Sequence, residues 1–123
     1  MTTIRVKDVA FGRLAAPDLD QMEEFLTDFG MVRSARTPTV LYMRGTGADG
    51  HLHVTHLGEP RFIGVAFVAA HEDDLKTLSK LPSATGIEHM DEPGGGQRVR
   101  LTEPNGYQVE VIHGRQTLAP IAV

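Results

Sequence analysis

Val9, Phe11 and Leu14 are among the apolar positions of a strand-like run over residues 6–15, and Pro17 stops it. Asp18, with Gln21 three residues on, has the form of a capping box, in which side chains satisfy N–H groups left open at a helix start. Leu19, Met22, Phe25, Leu26 and Phe29 follow at helical spacing, and Gly30 is placed to end the helix in a left-handed cap. Strand-like runs then occupy residues 31–35, 39–44 and 51–57. GTGADG, between the last two, is a turn by composition.

The second half repeats the plan. Residues 62–69 read as a strand. Glu72, Asp73 and Asp74 open a short helix, where negative charge is favoured, and Leu75, Leu78 and Leu81 give it an apolar face before Pro82. Strands follow at residues 87–90, 97–101 and 107–112, with EPNG as the turn before the last. Phe11-Gly-Arg-Leu-Ala-Ala ahead of Pro17-Asp18-Leu19 matches Gly64-Val-Ala-Phe-Val-Ala ahead of the second helix, at an offset of about 53 positions. The expected fold is therefore α+β. Two βαβββ modules, residues 4–57 and 61–113, form a curved mixed sheet with a cleft and with helices outside. Phe25, Phe29, Phe62 and Phe67 are read as core. Residues 1–113 make one domain, and 114–123, which lack any period, are a tail or a linker to a further domain.

Composition narrows the chemistry. With 123 residues there is room for one domain and one core. A formal charge of −4 argues against nucleic acid as a partner, which requires a basic face. No cysteine is present, which removes disulfides, thiolate metal sites and cysteine nucleophiles and suits a cytoplasmic setting. No apolar run is long enough for a membrane span, and no secretory signal is legible.

Two stretches resemble a known family. VAFGRLAAPDLDQMEEFLTDFGM is similar to the opening of vicinal-oxygen-chelate domains, and GGGQRVRLTEPNGYQVEVIHG to their closing signature. This is the superfamily of glyoxalases, bleomycin-resistance proteins and extradiol dioxygenases. GEPRFIGVAFVA with the closing motif most resembles the N-terminal halves of extradiol-dioxygenase-like proteins. The resemblance implies a divalent metal (Fe, Mn, Zn or Ni) on four strand positions, which fall on Phe11, on or near His53, on Gly64 and on Glu110. Phenylalanine and glycine side chains carry no lone pair, so two positions are silent and no cofactor is expected in this domain. Whether the chain is itself an enzyme stays open, and no catalytic residue is assigned. The leading expectation is a metal-free, non-catalytic N-terminal half. The alternatives are a bleomycin-resistance-type dimer that binds a small, aromatic molecule and a metal-dependent glyoxalase or dioxygenase with an unusual ligand set. Expected partners are a small-molecule ligand and either a second copy or a C-terminal catalytic domain.

Three residues are the metal candidates. Strand alternation would put His51 and His53 on one side and His56 on the other, with Glu110 as a third contact across the cleft. The competing reading makes the histidines a polar lining. Glu110 alternates with Val109 and Val111, so it faces away from them. There it is either a general acid–base or the partner of an arginine such as Arg13, which should share a face with Phe11. The Gly94–Gly95–Gly96 run precedes a strand, whereas phosphate loops precede a helix, so it reads as a mobile loop rather than an anion cradle.

Overall fold

The strands form where alternation predicted them, give or take a residue or two. The computed structural model describes residues 6–47 and 50–121; Ala48 and Asp49 of the GTGADG turn, and residues 4 and 5 of the expected first module, lie outside these. In chain order the elements are β1 (Val6–Ala16), α1 (Leu19–Asp28), β2 (Val32–Arg36), β3 (Val40–Arg44), β4 (His53–Leu57), β5 (Arg61–Ala69), α2 (Asp73–Leu78), β6 (Glu88–His89), β7 (Gln97–Thr102) and β8 (Gln108–His113). This is the expected α+β duplication of βαβββ. By contacts the described residues divide into two units, 11–63 with 117–121, and 6–10 with 64–116.

In the first module the strand order is β2-β3-β4-β1. β2–β3 and β3–β4 are antiparallel hairpin pairs, and β4 lies parallel to β1. α1 is the connection that lets the chain leave β1 and return. Its start is fixed as the sequence predicts: the Asp18 carboxylate accepts a hydrogen bond from the Gln21 N–H at 3.0 Å. Its end turns at Gly30, whose φ of 98° is open to glycine at little cost. Leu19 and Leu26 pack on Leu41 and Met43 of β3, with Met22 and Met31 at the margin.

Phe25 and Phe29 depart from the expectation of a core position, with 57% and 77% of their surface exposed; Phe62 is also exposed. They sit one turn apart on the flank of the buried stripe. Their rings meet at 5.6 Å, so each covers part of the other instead of entering the core.

The second module repeats the order as β5-β8-β7-β6, with β5 and β8 parallel and the remaining pairs antiparallel. Leu75 and Leu78 of α2 pack on Ala69, Val99 and Val111, with Leu101 and Ala84 alongside. Leu81 falls beyond the helix and is exposed.

Two glycine regions depend on the absence of a side chain. At Gly64 a Cβ would land on the carbonyl oxygen of Gln108, its cross-strand partner in β8. Gly94, Gly95 and Gly96 all have positive φ. Gly94 and Gly96 are packed: a Cβ on Gly96 would meet the His113 carbonyl oxygen at 2.9 Å, and Gln116 N–H donates to the Gly94 carbonyl at 2.9 Å. The glycines let this turn approach the end of β8. The residues after β8 are also held, since Ile121 N–H donates to the Thr46 carbonyl at 2.8 Å and Arg44 Nη2 donates to the Ala119 carbonyl at 2.9 Å. No helix among the described residues is long and apolar enough to cross a membrane.

Candidate functional site

Cross-strand partners in a sheet point to the same side, so pairing register assigns every side chain to a face. In the first module Met43 pairs with His53 and Leu41 with Thr55. Leu41 and Met43 pack against α1, so His53 and Thr55 lie on the helix side too. There His53 Nε2 meets Thr55 Oγ1 at 2.7 Å. Burial holds the His53 imidazole below its ordinary pKa, because a charged ring loses its water there.

The opposite face of this module carries Phe11, Arg13, Tyr42, Val54 and His56. Arg13 donates through Nη1 to His56 Nε2 at 2.8 Å, and its guanidinium sits 5.1 Å from the centre of the Phe11 ring. His51 precedes β4 and is buried against two rings, 4.7 Å from Phe11 and 4.9 Å from Tyr42. The expected trio is thus rearranged. His53 is the histidine that faces the helix, and His56 is the one that shares a face with Phe11 and Arg13.

In the second module Val99 pairs with Val111 and Leu101 with Val109, and these face α2. Glu110 therefore faces away from α2, as its alternation with valine predicts. Arg100 is its direct partner in β7, and Arg98 shares that face two residues before. Glu110 is fully buried and accepts a hydrogen bond from Arg98 Nη1 at 2.8 Å. Arg98 Nε reaches Glu88 Oε1 at 3.3 Å, and Arg100 holds both oxygens of Glu88 at 2.7 and 2.8 Å. The two-pronged grip of Arg100, helped by the charge of Arg98, holds the Glu88 carboxyl below its usual range. The arginine expected beside Glu110 was Arg13. Arg13 donates to His56, and Arg98 is an arginine that meets the carboxylate. The signal lay in QRVRL: alternation puts both arginines on one face, and the hairpin puts that face opposite the glutamate.

The donor set does not fit a resident divalent metal. Phe11 offers a ring and Gly64 a backbone pressed against Gln108. His53 faces the helix, His51 is packed between rings, and Glu110 is engaged by a guanidinium. Among the described residues no three histidine, aspartate or glutamate side chains gather where they could hold an ion.

A third polar cluster lies outside, where Glu23 of α1 binds Arg33 at 2.8 Å and Arg36 at 3.0 Å, and Arg36 also reaches Asp20 at 2.7 Å. Hydrogen bonding from Arg33 leads the effects that lower the Glu23 pKa.

No protein-family model matches this sequence, and no curated protein matches it. Solved structures do. The Mn(II)-bound glyoxalase from Novosphingobium aromaticivorans superposes with a TM-score of 0.85 at 21% identity, over 98% of this chain and 43% of that one. Homoprotocatechuate 2,3-dioxygenase from Brevibacterium fuscum, as its complex with 3,4-dihydroxyphenylacetate, gives 0.83 at 18% identity, over 96% and 40%. The enzyme of the same name from Arthrobacter globiformis gives 0.80 at 17% identity, over 94% and 38%. The present chain spans about two-fifths of the length of each of these chains. At such identities the likeness is one of architecture. The fold of this chain is accordingly the vicinal-oxygen-chelate fold, shared with this glyoxalase and these homoprotocatechuate dioxygenases.

Proposed function

We propose that this chain is a metal-free, non-catalytic module, the N-terminal half of an extradiol-dioxygenase-like protein whose chemistry resides in a second pair of βαβββ units. The observation that carries the reading is Gly64. The superfamily resemblance puts a ligand there, and the backbone contact with Gln108 leaves no space even for a methyl group. Phe11, at the other silent position, is 1% exposed and packed on His51. The solved relatives, about two and a half times as long, have room for another such module. Its role is then to support a catalytic partner, in the cytosol, as part of a longer chain or of a symmetric assembly.

Metal analysis tests this directly. Purified chain is equilibrated with micromolar Mn(II), Fe(II), Zn(II) or Ni(II), desalted, and assayed for bound metal and for turnover of catechols and of thiol adducts of 2-oxoaldehydes. The expected result is far less than one ion per chain and no turnover. One ion per chain, or turnover that a chelator abolishes, would overturn the proposal. The coding sequence beyond Val123 is expected to open another βαβββ pair with histidines where Phe11 and Gly64 stand here.

The bleomycin-resistance-type reading depends on rings that a ligand could stack on. Phe11 and Tyr42 are 1% and 5% exposed, so this cluster supplies packing rather than a stacking surface.

A further inference from the structure

We infer that Arg98 is a resident cation: its guanidinium supplies, at Glu110, the positive charge for which a metal-binding relative would use an ion. The inference rests on the metal-free reading above and explains why an acidic residue stays buried at a position with no ion to hold. A buried carboxylate loses its hydration and must be compensated locally or lose its charge. Glu110 has 1% of its side chain exposed, and Arg98 meets it at 2.8 Å from the neighbouring strand.

Carboxylate and guanidinium alternate along one linked chain, in the order Glu110, Arg98, Glu88, Arg100. A dication binding Glu110 through Oε1 would have to push Arg98 aside. The displaced guanidinium would then compete with Arg100 for Glu88, whose two oxygens Arg100 already holds. The network thus opposes metal entry as well as replacing the metal. Arginine suits this task better than lysine, because its flat fork can touch two carboxylates at once, Nη1 on Glu110 and Nε on Glu88. Exposure along the chain runs from 1% at Glu110 through 20% at Arg98 to 31% at Glu88 and 37% at Arg100, so charge is relayed from the interior to water. That gradient sets this network apart from a surface ion pair, in which both partners are solvated.

The test is a double-mutant cycle on the whole chain, read by urea unfolding at neutral pH. Arg98→Met and Glu110→Gln are each expected to lower the folding equilibrium constant by roughly a hundredfold, since each strands the other partner. The double variant is expected to recover most of that loss, and Arg98→Lys to lose far less than Arg98→Met. Effects that simply multiply in the double variant, or a lysine variant as damaged as the methionine one, would overturn the inference. Should a single variant fail to fold, the double variant decides: folding supports the resident cation, and failure to fold overturns it. Mn(II) added to each protein separates the two claims. Uptake by the wild-type chain that Glu110→Gln leaves intact would sink the metal-free reading but not the pairing. Uptake that Glu110→Gln abolishes would sink both. A cycle without coupling and without uptake would sink the resident cation alone.

Discussion

Each module covers one side of its four strands with a leucine-bearing helix, and the two modules furnish the opposite side in contrasting ways. The first module uses Phe11, Tyr42 and His51 in ring contact, with Arg13 donating to His56. The second uses a network of four charged residues, Glu110, Arg98, Glu88 and Arg100. A duplicated backbone can therefore keep its helix-side packing while its other face diverges into aromatic filling or ionic compensation. The contrast extends to a glycine in the leading strand of each module. Gly12 in β1 has nothing within 4 Å of where a Cβ would stand, whereas Gly64 in β5 meets backbone at once.

The largest effect should come from erasing that last difference. Gly64→Ala is expected to cost about 4 kcal/mol or more, or to prevent folding, because the obstacle is a carbonyl and not a flexible side-chain end. Gly12→Ala should stay within about 1 kcal/mol of wild type by thermal or urea unfolding. Equal costs at the two sites would remove the asymmetry. Next in size, Phe11→Ala is expected to lose about 3–4 kcal/mol, the usual penalty for emptying a buried aromatic site. A loss below about 1 kcal/mol would mean that the rings are not what fills this face.

Acid should distinguish the modules too. The folded His53 pKa lies below its ordinary value of 6.5, so the unfolded chain takes up the proton first. The stability that His53 contributes is complete above 6.5 and declines as pH falls from there through the lower folded value. His53→Gln should flatten that part of the profile. Glu88, also lowered, acts at more acidic pH, where stability is lost below its ordinary carboxyl value of 4.5. A profile between pH 7 and 5 that is the same with and without His53 would show that the helix-side histidine is not felt. The smallest change is expected at the outer network. Glu23→Gln should cost about 0.5 kcal/mol and lose its effect in high salt, since Arg33 is half exposed.

Much of this architecture was legible in residue spacing. Leu19 and Leu26 mark the buried stripe of α1, Asp18 and Gly30 mark its ends, and Val109, Glu110 and Val111 divide correctly between two faces. The site was read less well, for local reasons. Alternation relates residues only within a strand, and β4 begins at His53, so His51 does not share its phase. Phe25 and Phe29 have core-like spacing, but a helix of ten residues needs only one stripe and leaves its flank to solvent. The contact of Arg98 with Glu110 required the hairpin register of β7 on β8, which opposes Arg100 to Glu110 and brings Arg98 within reach. The glycine run at 94–96 reads as slack from composition, yet Gly94 and Gly96 serve close approach to residues 113–116.

The contact between Arg13 and His56 fixes a tautomer. Arginine has only N–H groups to offer, so His56 Nε2 receives with its lone pair, and the ring hydrogen of the neutral imidazole resides on Nδ1. Nitrogen-15 spectra of the imidazole should show that less common form. An electrophile approaching from this side would find the Nε2 electron pair already committed to a guanidinium.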